Sequence, residues 1–511
     1  MKCFAAIDVG SYELTMKIFE LNNKGEIKQI DYIRHRIELG TDTYNTGKIS
    51  HERVDELCNY LLEFKRIMAS YKVDDVKIYG TSAIRETENT LIILEQIKLR
   101  TGLSVNVLSN SEQRFLHYKA VASKGEKFET SVAKGTALVD IGGGSIQISI
   151  FSEGKLVTTQ NIRLGILRMR EMLSDLQPKT KDYAKLVEEL IDNHLCPFKN
   201  LYLKDLDIQN IIVVDDYISY IIKKAFNKDT VDCDEYKTFI KNFKEKSAVE
   251  LCRLYDLPQE SASLIPTSAL LLRRIFKHTG AKKLWAPGVS LSDGIAYEYA
   301  EKEKFVKNRH NFEGDIVSCA MSTAKRFYAN TERNQLVESI ALSIFDSTKK
   351  IHGMGNREKL LLRIAAILND CGKYMSLEEA AECSYTIIMA TELIGLSHAE
   401  RVVVANVVRF NKTHFVYFDE LSKEENLTKS QYLTMAKLTA IFRLADGICR
   451  SYKKKVEGIS VAVKDEILNI NVTCEDDIVL EKGFYDRKAK LFEEVFSVKP
   501  VLKHRRKAIG V

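Results

Sequence analysis

Phe4-Ala-Ala-Ile-Asp-Val-Gly-Ser11 and Ala137-Leu-Val-Asp-Ile-Gly-Gly-Gly-Ser145 are two similar stretches of this chain, with their aspartates 132 residues apart. Each stretch reads as a buried apolar strand, an aspartate and a glycine turn, and a second strand follows it. Glycines let backbone N–H groups approach an anion closely, and a serine adds a hydroxyl donor. One such hairpin would be an ordinary turn, but the repetition predicts a pair of phosphate-binding loops.

The composition is typical of a globular protein with several domains. The chain has 511 residues, of which 45% are hydrophobic and 29% charged, and this length is too great for one core. Its net charge of +6 is small for the length and does not favour nucleic acid as a partner. The ten cysteines form no Cys-x-x-Cys pair, and no apolar run reaches the roughly 18 residues that span a bilayer. We expect no signal peptide, no membrane partner and a cytoplasmic protein with free thiols.

The periodicity of the chain predicts two α/β units followed by helices. Strands alternate with helices up to about residue 300, with an amphipathic helix over 50–71 that Ser50 would cap and a strand over 104–108. Helical periodicity dominates 315–455 and includes a helix over 377–393. A hairpin, a helix and a last strand are expected after it. We therefore divide the chain into residues 1–125, 126–305, 310–455 and 456–511.

Four motifs make the chain resemble the exopolyphosphatase and guanosine pentaphosphate phosphatase (Ppx/GppA) family. They are Asp8-Val-Gly-Ser11, Gly80-Thr-Ser-Ala-Ile-Arg-Glu-Thr-Glu-Asn89, Asp140-Ile-Gly-Gly-Gly-Ser145 and Leu164-Gly165 at the start of a helix. The second motif is the most discriminating, because generic actin-like proteins lack it. The resemblance implies an α/β fold of the duplicated actin-like (ribonuclease H-like) ATPase type. An all-helical HD-like domain and a small α+β unit would follow it.

The resemblance also implies a site. In the family, two phosphate loops face each other across a cleft and Mg²⁺ bridges the phosphate chain. Asp8 and Asp140 would hold the metal or its waters, and Arg85 would clamp a phosphate with its guanidinium fork. The other phosphate ligands would come from the two loops: Gly10, Ser11, Gly142, Gly143, Gly144 and Ser145. The expected ligand is inorganic polyphosphate or guanosine pentaphosphate.

The chain departs from the family where a carboxylate should activate water. The family's Ser-Gly-x-Glu-Glu-Ala segment reads Ser109-Asn-Ser-Glu-Gln-Arg114, so Glu112 is kept but the usual base is Gln113. The second loop likewise ends in Gln147 instead of a glutamate. An amide cannot take a proton at neutral pH, although it can position water. We take Glu112, Gln113 and Gln147 as the catalytic positions, and expect weakened activity because a lost base costs about 10²–10⁴-fold in rate.

Two other departures lie further along the chain. A third glycine-rich loop is replaced by Asp215-Asp216-Tyr217, which we interpret as a surface turn. An HD-type metal site would need several histidines and a His–Asp pair, but Asn369 precedes Asp370, and Asp446 has lost its companions. The remaining ligand positions are occupied by Arg333, Cys383 and Asn411. We interpret this domain as structural or regulatory, and it could supply a homodimer interface.

Two functions stay open on the sequence alone. The first is an Mg²⁺-dependent hydrolase that releases terminal phosphate, and the second is a non-catalytic or slow protein that binds the same ligands. An ATP-binding protein of the sugar-kinase type is disfavoured by the Arg85 motif. Basic segments at 222–228 and 453–455 could line a polyanion path. Such lysine runs, like the basic end at 503–507, are more often solvated surface.

Overall fold

The computed structural model describes residues 2–215, 218–244, 246, 248–255, 264–308, 310–451 and 455–506. Of the sequence predictions, those on Asp216, Tyr217, Lys453, Lys454 and Lys507 lie outside the described residues. The chain divides into two compact units, Met1–Asn311 and Phe312–Val511, and the division into four domains stays a prediction. No helix in the described part of the chain is long and apolar enough to cross a membrane.

The first sheet of unit 1 is built on the first hairpin. Its strands are β1 (Lys2–Val9), β2 (Glu13–Leu21), β3 (Ile27–Arg36), β4 (Asp75–Gly80) and β5 (Asn106–Val107), in the order β3-β2-β1-β4-β5. β1 pairs antiparallel with β2 and parallel with β4. Residues 4–7 are all buried, because both faces of β1 are covered. The helices are α1 (Leu39–Thr46), α2 (His51–Ser70), α3 (Ser82–Glu86), α4 (Thr90–Thr101) and α5 (Asn110–Ala122).

The second sheet of unit 1 repeats this arrangement. Its strands are β6 (Thr136–Ile141), β7 (Ile146–Ser152), β8 (Lys155–Ile162), β9 (Asn210–Val214), β10 (Thr230–Asp232) and β11 (Lys283–Trp285), in the order β10-β11-β9-β6-β7-β8. The series β8-β7-β6-β9-β11 matches β3-β2-β1-β4-β5, strand for strand. The helices are α6 (Glu126–Val132), α7 (Ile166–Leu173), α8 (Tyr183–Phe198), α9 (Ile218–Phe226), α10 (Cys233–Lys244), α11 (Ala248–Tyr255), α12 (Ile265–Thr279) and α13 (Leu291–Lys302). The predicted duplicated actin-like fold is confirmed.

Unit 2 is mainly helical and ends in a small sheet. Its helices are α14 (Phe312–Arg326), α15 (Thr331–Ser347), α16 (Lys349–His352), α17 (Asn356–Leu368), α18 (Ala380–Ala390), α19 (His398–Lys412), α20 (Phe418–Glu424), α21 (Lys429–Ile448) and α22 (Val479–Phe496). The strands β12 (Gly458–Lys464), β13 (Ile467–Cys474) and β14 (Lys499–Arg506) form one sheet with β13 in the centre. The predicted helical region and small α+β end are therefore both present.

Several predicted element bounds differ from the structure for local reasons. Ser50 precedes α2 as predicted, but its hydroxyl donates to Asp42 Oδ2 at 2.6 Å and does not cap the helix. The strand predicted over 104–108 is reduced to the two residues of β5. The helix predicted over 377–393 begins only at Ala380, and Leu377 is 82% exposed. An apolar residue at the right period therefore does not extend a helix when nothing covers it.

Candidate active site

The two glycine turns meet at a cleft in unit 1, with a volume of about 110 Å³. Among the predicted site residues, eight line this cleft: Asp8, Gly10, Ser11, Gln113, Asp140, Gly142, Gly143 and Ser145. The turns have the same geometry, because Gly10 N–H donates to Glu13 O and Gly142 N–H to Ser145 O, each at 3.0 Å. The sequence repeat is therefore also a repeat of backbone conformation.

The two loops touch each other and the start of α7. A Cβ atom on Gly143 would lie 3.2 Å from Ser11 Cβ, and one on Gly165 would overlap the Gly143 and Gly144 backbone. The first N–H groups of α7 donate to the second loop: Ile166 to Gly142 O, and Leu167 to Gly143 O. Glycine is required at 165 because there is no room for a side chain, whereas a Cβ on Gly143 would only crowd Ser11.

Three hydroxyl groups form a closed ring that joins the first loop to α1 and α3 and that sequence analysis did not predict. Ser11 Oγ lies 2.8 Å from both Tyr44 OH and Ser82 Oγ, and these two lie 3.1 Å from each other. A Cβ atom on Gly144 would overlap the Tyr44 hydroxyl and lie 2.6 Å from Ser82 Oγ. Burial raises the pKa of Tyr44, so its hydroxyl keeps its proton and can donate. Tyr44 therefore covers Gly144, which does not line the cleft.

Tyr44 is itself held by Arg168 of α7. The guanidinium lies 4.0 Å from the centre of the Tyr44 ring. Its Nε donates to Gly144 O at 2.8 Å, and its Nη2 pairs with Glu86 at 2.6 Å. One arginine thus ties the second phosphate loop to α3, the helix inside the Gly80–Asn89 motif.

His117 is a cleft residue that sequence analysis missed. Its Nδ1 lies 2.6 Å from Asp140 Oδ2, and both side chains are buried. His117 follows Gln113 by four residues on α5, so the two side chains share one face of the helix, and both line the cleft. That spacing was readable from the sequence. It places a titratable ring one helical turn from the amide that replaces the usual base.

The structure does not bring Glu112 to the cleft. Glu112 is the third residue of α5, and its Oε2 accepts hydrogen bonds from Ser109 N at 3.0 Å and Ser109 Oγ at 2.6 Å. Ser109 Oγ in turn accepts from Glu112 N–H, which completes a capping box. In the structure the Glu112 carboxylate stabilises the start of α5, and its part in catalysis stays a prediction.

Gln147 and Arg85 also lie outside the cleft wall. Gln147 is buried on β7, where its Oε1 accepts from Arg114 Nε at 3.3 Å. Arg85 donates to Leu108 O at 2.7 Å and lies 3.4 Å from Gln113 Oε1. Gln147 is therefore a hydrogen-bond partner of Arg114, and its part in catalysis stays a prediction. Arg85 contacts Gln113, which lines the cleft.

Asp215 is buried, so the expected surface turn is wrong at this residue. Its Oδ1 accepts from Ile218 N–H at 2.5 Å and its Oδ2 from Ser268 Oγ at 2.9 Å. The first bond satisfies a backbone donor at the start of α9. Asp215 lines the cleft, but both of its oxygens already accept hydrogen bonds from the protein.

A larger cavity adjoins the cleft and shares Tyr32, Asp215 and Ser290 with it. This side cavity has a volume of about 730 Å³. Four cations line it: Lys17, Arg34, Lys223 and Lys228. The two lysines of α9 and the turn after it belong to the basic segment at 222–228. Asp215 and Asp229 line it as well, so the side cavity carries charges of both signs. Three of its cations are in ion pairs, Lys17 with Asp293, Arg34 with Glu13 and Lys228 with Glu235.

The donor set of the cleft suits Mg²⁺. Asp8, Asp140 and Asp215 line a space whose glycine turns are suited to an anion, and carboxylates would repel that anion without a cation between them. No group of three His, Cys, Asp or Glu residues that could hold a metal exists among the described residues. Mg²⁺ needs fewer, because it binds through one or two carboxylates, its own waters and substrate phosphates.

In unit 2, the expected HD-type metal positions are occupied by ion pairs. Arg333 Nη2 donates to Asp446 Oδ1 at 2.6 Å, and its Nη1 lies 3.4 Å from Asp370 Oδ2. Lys488 pairs with Asp446 Oδ2 at 2.5 Å. Burial alone would raise the pKa of Asp446, but Lys488 and Arg333 hold it well below its ordinary value. The guanidinium supplies the positive charge that a metal would otherwise provide.

Comparison with known proteins agrees with this geometry. Residues 18–303 match the model of the Ppx/GppA phosphatase family, and residues 317–487 match that of Ppx/GppA phosphatase, domain III. A guanosine-5'-triphosphate,3'-diphosphate pyrophosphatase of Aliivibrio fischeri is 22% identical over 471 residues, covering 90% of this chain and 91% of the relative. One of Photobacterium profundum is 21% identical over 413 residues, covering 80% of each chain.

Among solved structures, an exopolyphosphatase from Cytophaga hutchinsonii has the same fold with a TM-score of 0.50 and 17% identity. The match covers 60% of this chain and all of that one. The family model alone spans more than half of the present sequence, and the second sheet and the second glycine turn lie inside the matched range. The chain belongs to the Ppx/GppA phosphatase family.

Proposed function

We propose that this protein hydrolyses the terminal phosphoanhydride bond of inorganic polyphosphate or guanosine pentaphosphate, with His117 as the general base. The observation that carries the proposal is the contact of His117 with Asp140 inside the cleft. It supplies a proton acceptor in a site where Gln113 cannot act as one and Glu112 caps its own helix.

The contact with Asp140 selects which ring nitrogen acts. When Nδ1–H donates to Asp140 Oδ2, the neutral ring presents Nε2 as its proton acceptor. The carboxylate then stabilises the imidazolium that forms after proton transfer. Asp140 is thus proposed as the orienting partner of His117, which leaves Asp8 as the main candidate among the predicted metal ligands.

The reaction balances with the groups at hand. A water oxygen attacks the terminal phosphorus, His117 takes a proton from that water, and the phosphoanhydride P–O bond breaks. The shortened polyphosphate or guanosine tetraphosphate leaves with the bridging oxygen. Gln113, one turn away on α5, can orient the water by hydrogen bonding, while Arg85 holds Gln113. A bound Mg²⁺ would offset the negative charge of the phosphates.

The side cavity supports a long, highly charged ligand. The terminal phosphate would occupy the cleft between the glycine turns, and the remaining phosphates would extend past Tyr32 towards Lys17, Arg34, Lys223 and Lys228. Cations along a cavity stabilise a polyanion through charge, without reading its sequence or length. Mg²⁺ binding, a homodimer and a cytoplasmic location stay predictions.

The test is phosphate release from polyphosphate and from guanosine pentaphosphate, with Mg²⁺ present. The wild type is compared with His117→Gln and with His278→Gln as a matched control. His278 is also a buried histidine of unit 1 bonded to an aspartate, with its Nε2 2.8 Å from Asp192 Oδ1. We expect His117→Gln to lose about 10²–10⁴-fold in turnover and the control to keep most of it.

Two results would contradict the proposal. Equal turnover of His117→Gln and wild type would remove His117 from the chemistry. Wild-type release no greater than that of Asp140→Ala would favour the second function, a protein that binds these ligands without hydrolysing them. Calorimetry with a non-hydrolysable polyphosphate analogue would then measure the binding directly.

A further inference from the structure

Six charged side chains of unit 2 form a single network in which cations outnumber carboxylates. We call it the Arg333 cluster, and its members are Arg333, Asp370, Lys373, Lys412, Asp446 and Lys488. The two carboxylate side chains are only 1% exposed, and all four cations contact them. Within this network two negative charges face four positive ones.

Asp370 contacts three of the four cations of the Arg333 cluster. Its Oδ1 lies 2.9 Å from Lys412 Nζ and 3.1 Å from Lys373 Nζ, while Arg333 approaches its Oδ2. Two ammonium groups on one oxygen repel each other, and one negative charge cannot neutralise both. An anion placed against both ammonium groups would relieve that repulsion.

The excess charge is accessible at two of the four cations. The side chains of Lys373 and Lys412 are 29% and 23% exposed, whereas that of Arg333 is 7% exposed. A dissolved anion can therefore reach these two ammonium groups without breaking the buried pairs of Arg333. Burial, and then the charges of Lys412 and Arg333, lower the pKa of Lys373 although Asp370 opposes them.

A buried amide beside the cluster also points to an acceptor. Asn369 is fully buried, its Oδ1 accepts from Asn411 Nδ2 at 3.1 Å, and its carbonyl oxygen lies 3.5 Å from Lys412 Nζ. Its Nδ2 has no hydrogen-bond partner in the described part of the chain. A buried donor without an acceptor is costly, and an oxyanion, or a water bound to one, would supply the acceptor.

We propose that the Arg333 cluster binds a phosphate group through Lys373 and Lys412. The two negative charges of phosphate equal the excess of positive over negative charges in the Arg333 cluster. The phosphate oxygens can accept hydrogen bonds from both ammonium groups at once. The phosphate can be free or part of a nucleotide. Tyr374 follows Lys373, is 60% exposed and stacks on Tyr328 with ring centres 5.7 Å apart, so an aromatic surface lies next in the chain.

The test is amine labelling of the full-length protein, read peptide by peptide by mass spectrometry. Labelling with acetic anhydride is compared in inorganic phosphate, in guanosine monophosphate and in chloride of equal ionic strength. We expect phosphate to protect Lys373 and Lys412 about tenfold and to leave Lys359, a partly exposed lysine paired with Asp346, unchanged. Because each lysine is read separately, phosphate bound in unit 1 cannot produce this result.

The two ligands distinguish the sources of the phosphate. Protection by guanosine monophosphate at lower concentration, lost in Tyr374→Ala, identifies a nucleotide. Equal protection by both ligands identifies free phosphate. Unchanged labelling of Lys373 and Lys412 in either ligand would overturn the proposal. As a second measurement, phosphate should raise the melting temperature of Lys412→Met less than that of the wild type and of Lys359→Met, because only the cleft of unit 1 is left to bind it.

Discussion

Nδ1 of His117 lies 2.6 Å from Oδ2 of Asp140, and both side chains are buried in the wall of the cleft between the two glycine turns. Asp140 belongs to the second hairpin. His117 belongs to α5, on which Gln113 stands where the family has a glutamate. The contact therefore joins the two halves of the repeat at the point where a base is needed. It explains how a chain with Gln113 could keep hydrolytic chemistry.

Restoring the lost carboxylate tests this compensation. We expect Gln113→Glu to raise turnover about 10²-fold in the His117→Gln variant, and much less in the wild type, because one base is enough. The measurement is phosphate release at saturating substrate. Gln160→Glu on β8, which does not line the cleft, is the control and should change neither background. If Gln113→Glu did not raise the turnover of His117→Gln, the loss of activity in that variant would not be due to a missing base.

Replacing Glu112 separates catalysis from helix capping. Glu112→Gln should keep turnover near the wild-type value, because glutamine can also accept from Ser109 N–H in a capping box. Glu112→Ala should lower the free energy of unfolding by about 1 kcal/mol, since the bond to the Ser109 backbone is lost. Activity and urea unfolding are measured on both variants. A large loss of turnover in Glu112→Gln would return this residue to the chemistry.

Gly144 should not tolerate a side chain, because the Tyr44 hydroxyl occupies the space that a Cβ atom would need. We expect Gly144→Ala to destabilise unit 1 by about 1–3 kcal/mol, because the new Cβ would overlap the Tyr44 hydroxyl. Tyr44→Phe removes that hydroxyl and should restore part of the loss in the double variant. Thermal unfolding measures both effects.

The control for Gly144 is a glycine with room around it. A Cβ on Gly483 of α22 would meet nothing within 4 Å, so Gly483→Ala should be neutral or slightly stabilising. Equal stability of Gly144→Ala and wild type would mean that the hydroxyl ring of Ser11, Tyr44 and Ser82 opens easily. The phosphate loops would then not be fixed by it.

The sequence predicts best what depends on neighbours in the chain. The two hairpins and their aspartates follow from local pattern, and both hairpins lie where expected. Glu112 shows how a local pattern can mislead, because Ser109-x-x-Glu112 fits both a family motif and a capping box. The structure shows that the Glu112 carboxylate forms the capping box, where it accepts hydrogen bonds from Ser109.

Most contacts between distant segments could not be predicted. Arg333 lies on α15, Asp446 on α21 and Lys488 on α22. The resemblance placed Arg333 and Asp446 at positions of one site, but nothing in the sequence predicted that Lys488 joins them. The hydroxyl ring likewise joins residues from three different elements. The loss of an HD-type ligand set stays a prediction. The sequence could not show that Arg333 and Lys488 pair with Asp446.

The ion pairs of unit 2 should make its stability depend on pH. Neighbouring cations hold the pKa of Asp446 and of Asp370 below the ordinary value, although burial opposes them. A carboxyl whose pKa is lower in the folded state stabilises the fold fully above its unfolded pKa, about 4, and loses that contribution as the pH falls below it. We therefore expect the melting temperature of unit 2 to drop steeply below about pH 4.

Asp446→Asn should remove part of this dependence. It breaks a buried pair, so it should cost about 3–5 kcal/mol at neutral pH, and its melting temperature should vary less between about pH 5 and 3 than that of the wild type. Asp346→Asn, at an exposed carboxylate paired with Lys359, should follow the wild-type profile. Circular dichroism gives the melting curves, and hydrogen exchange of α21 assigns the transition to unit 2. Parallel profiles for Asp446→Asn and wild type would show that Asp446 is not the group whose protonation weakens the unit.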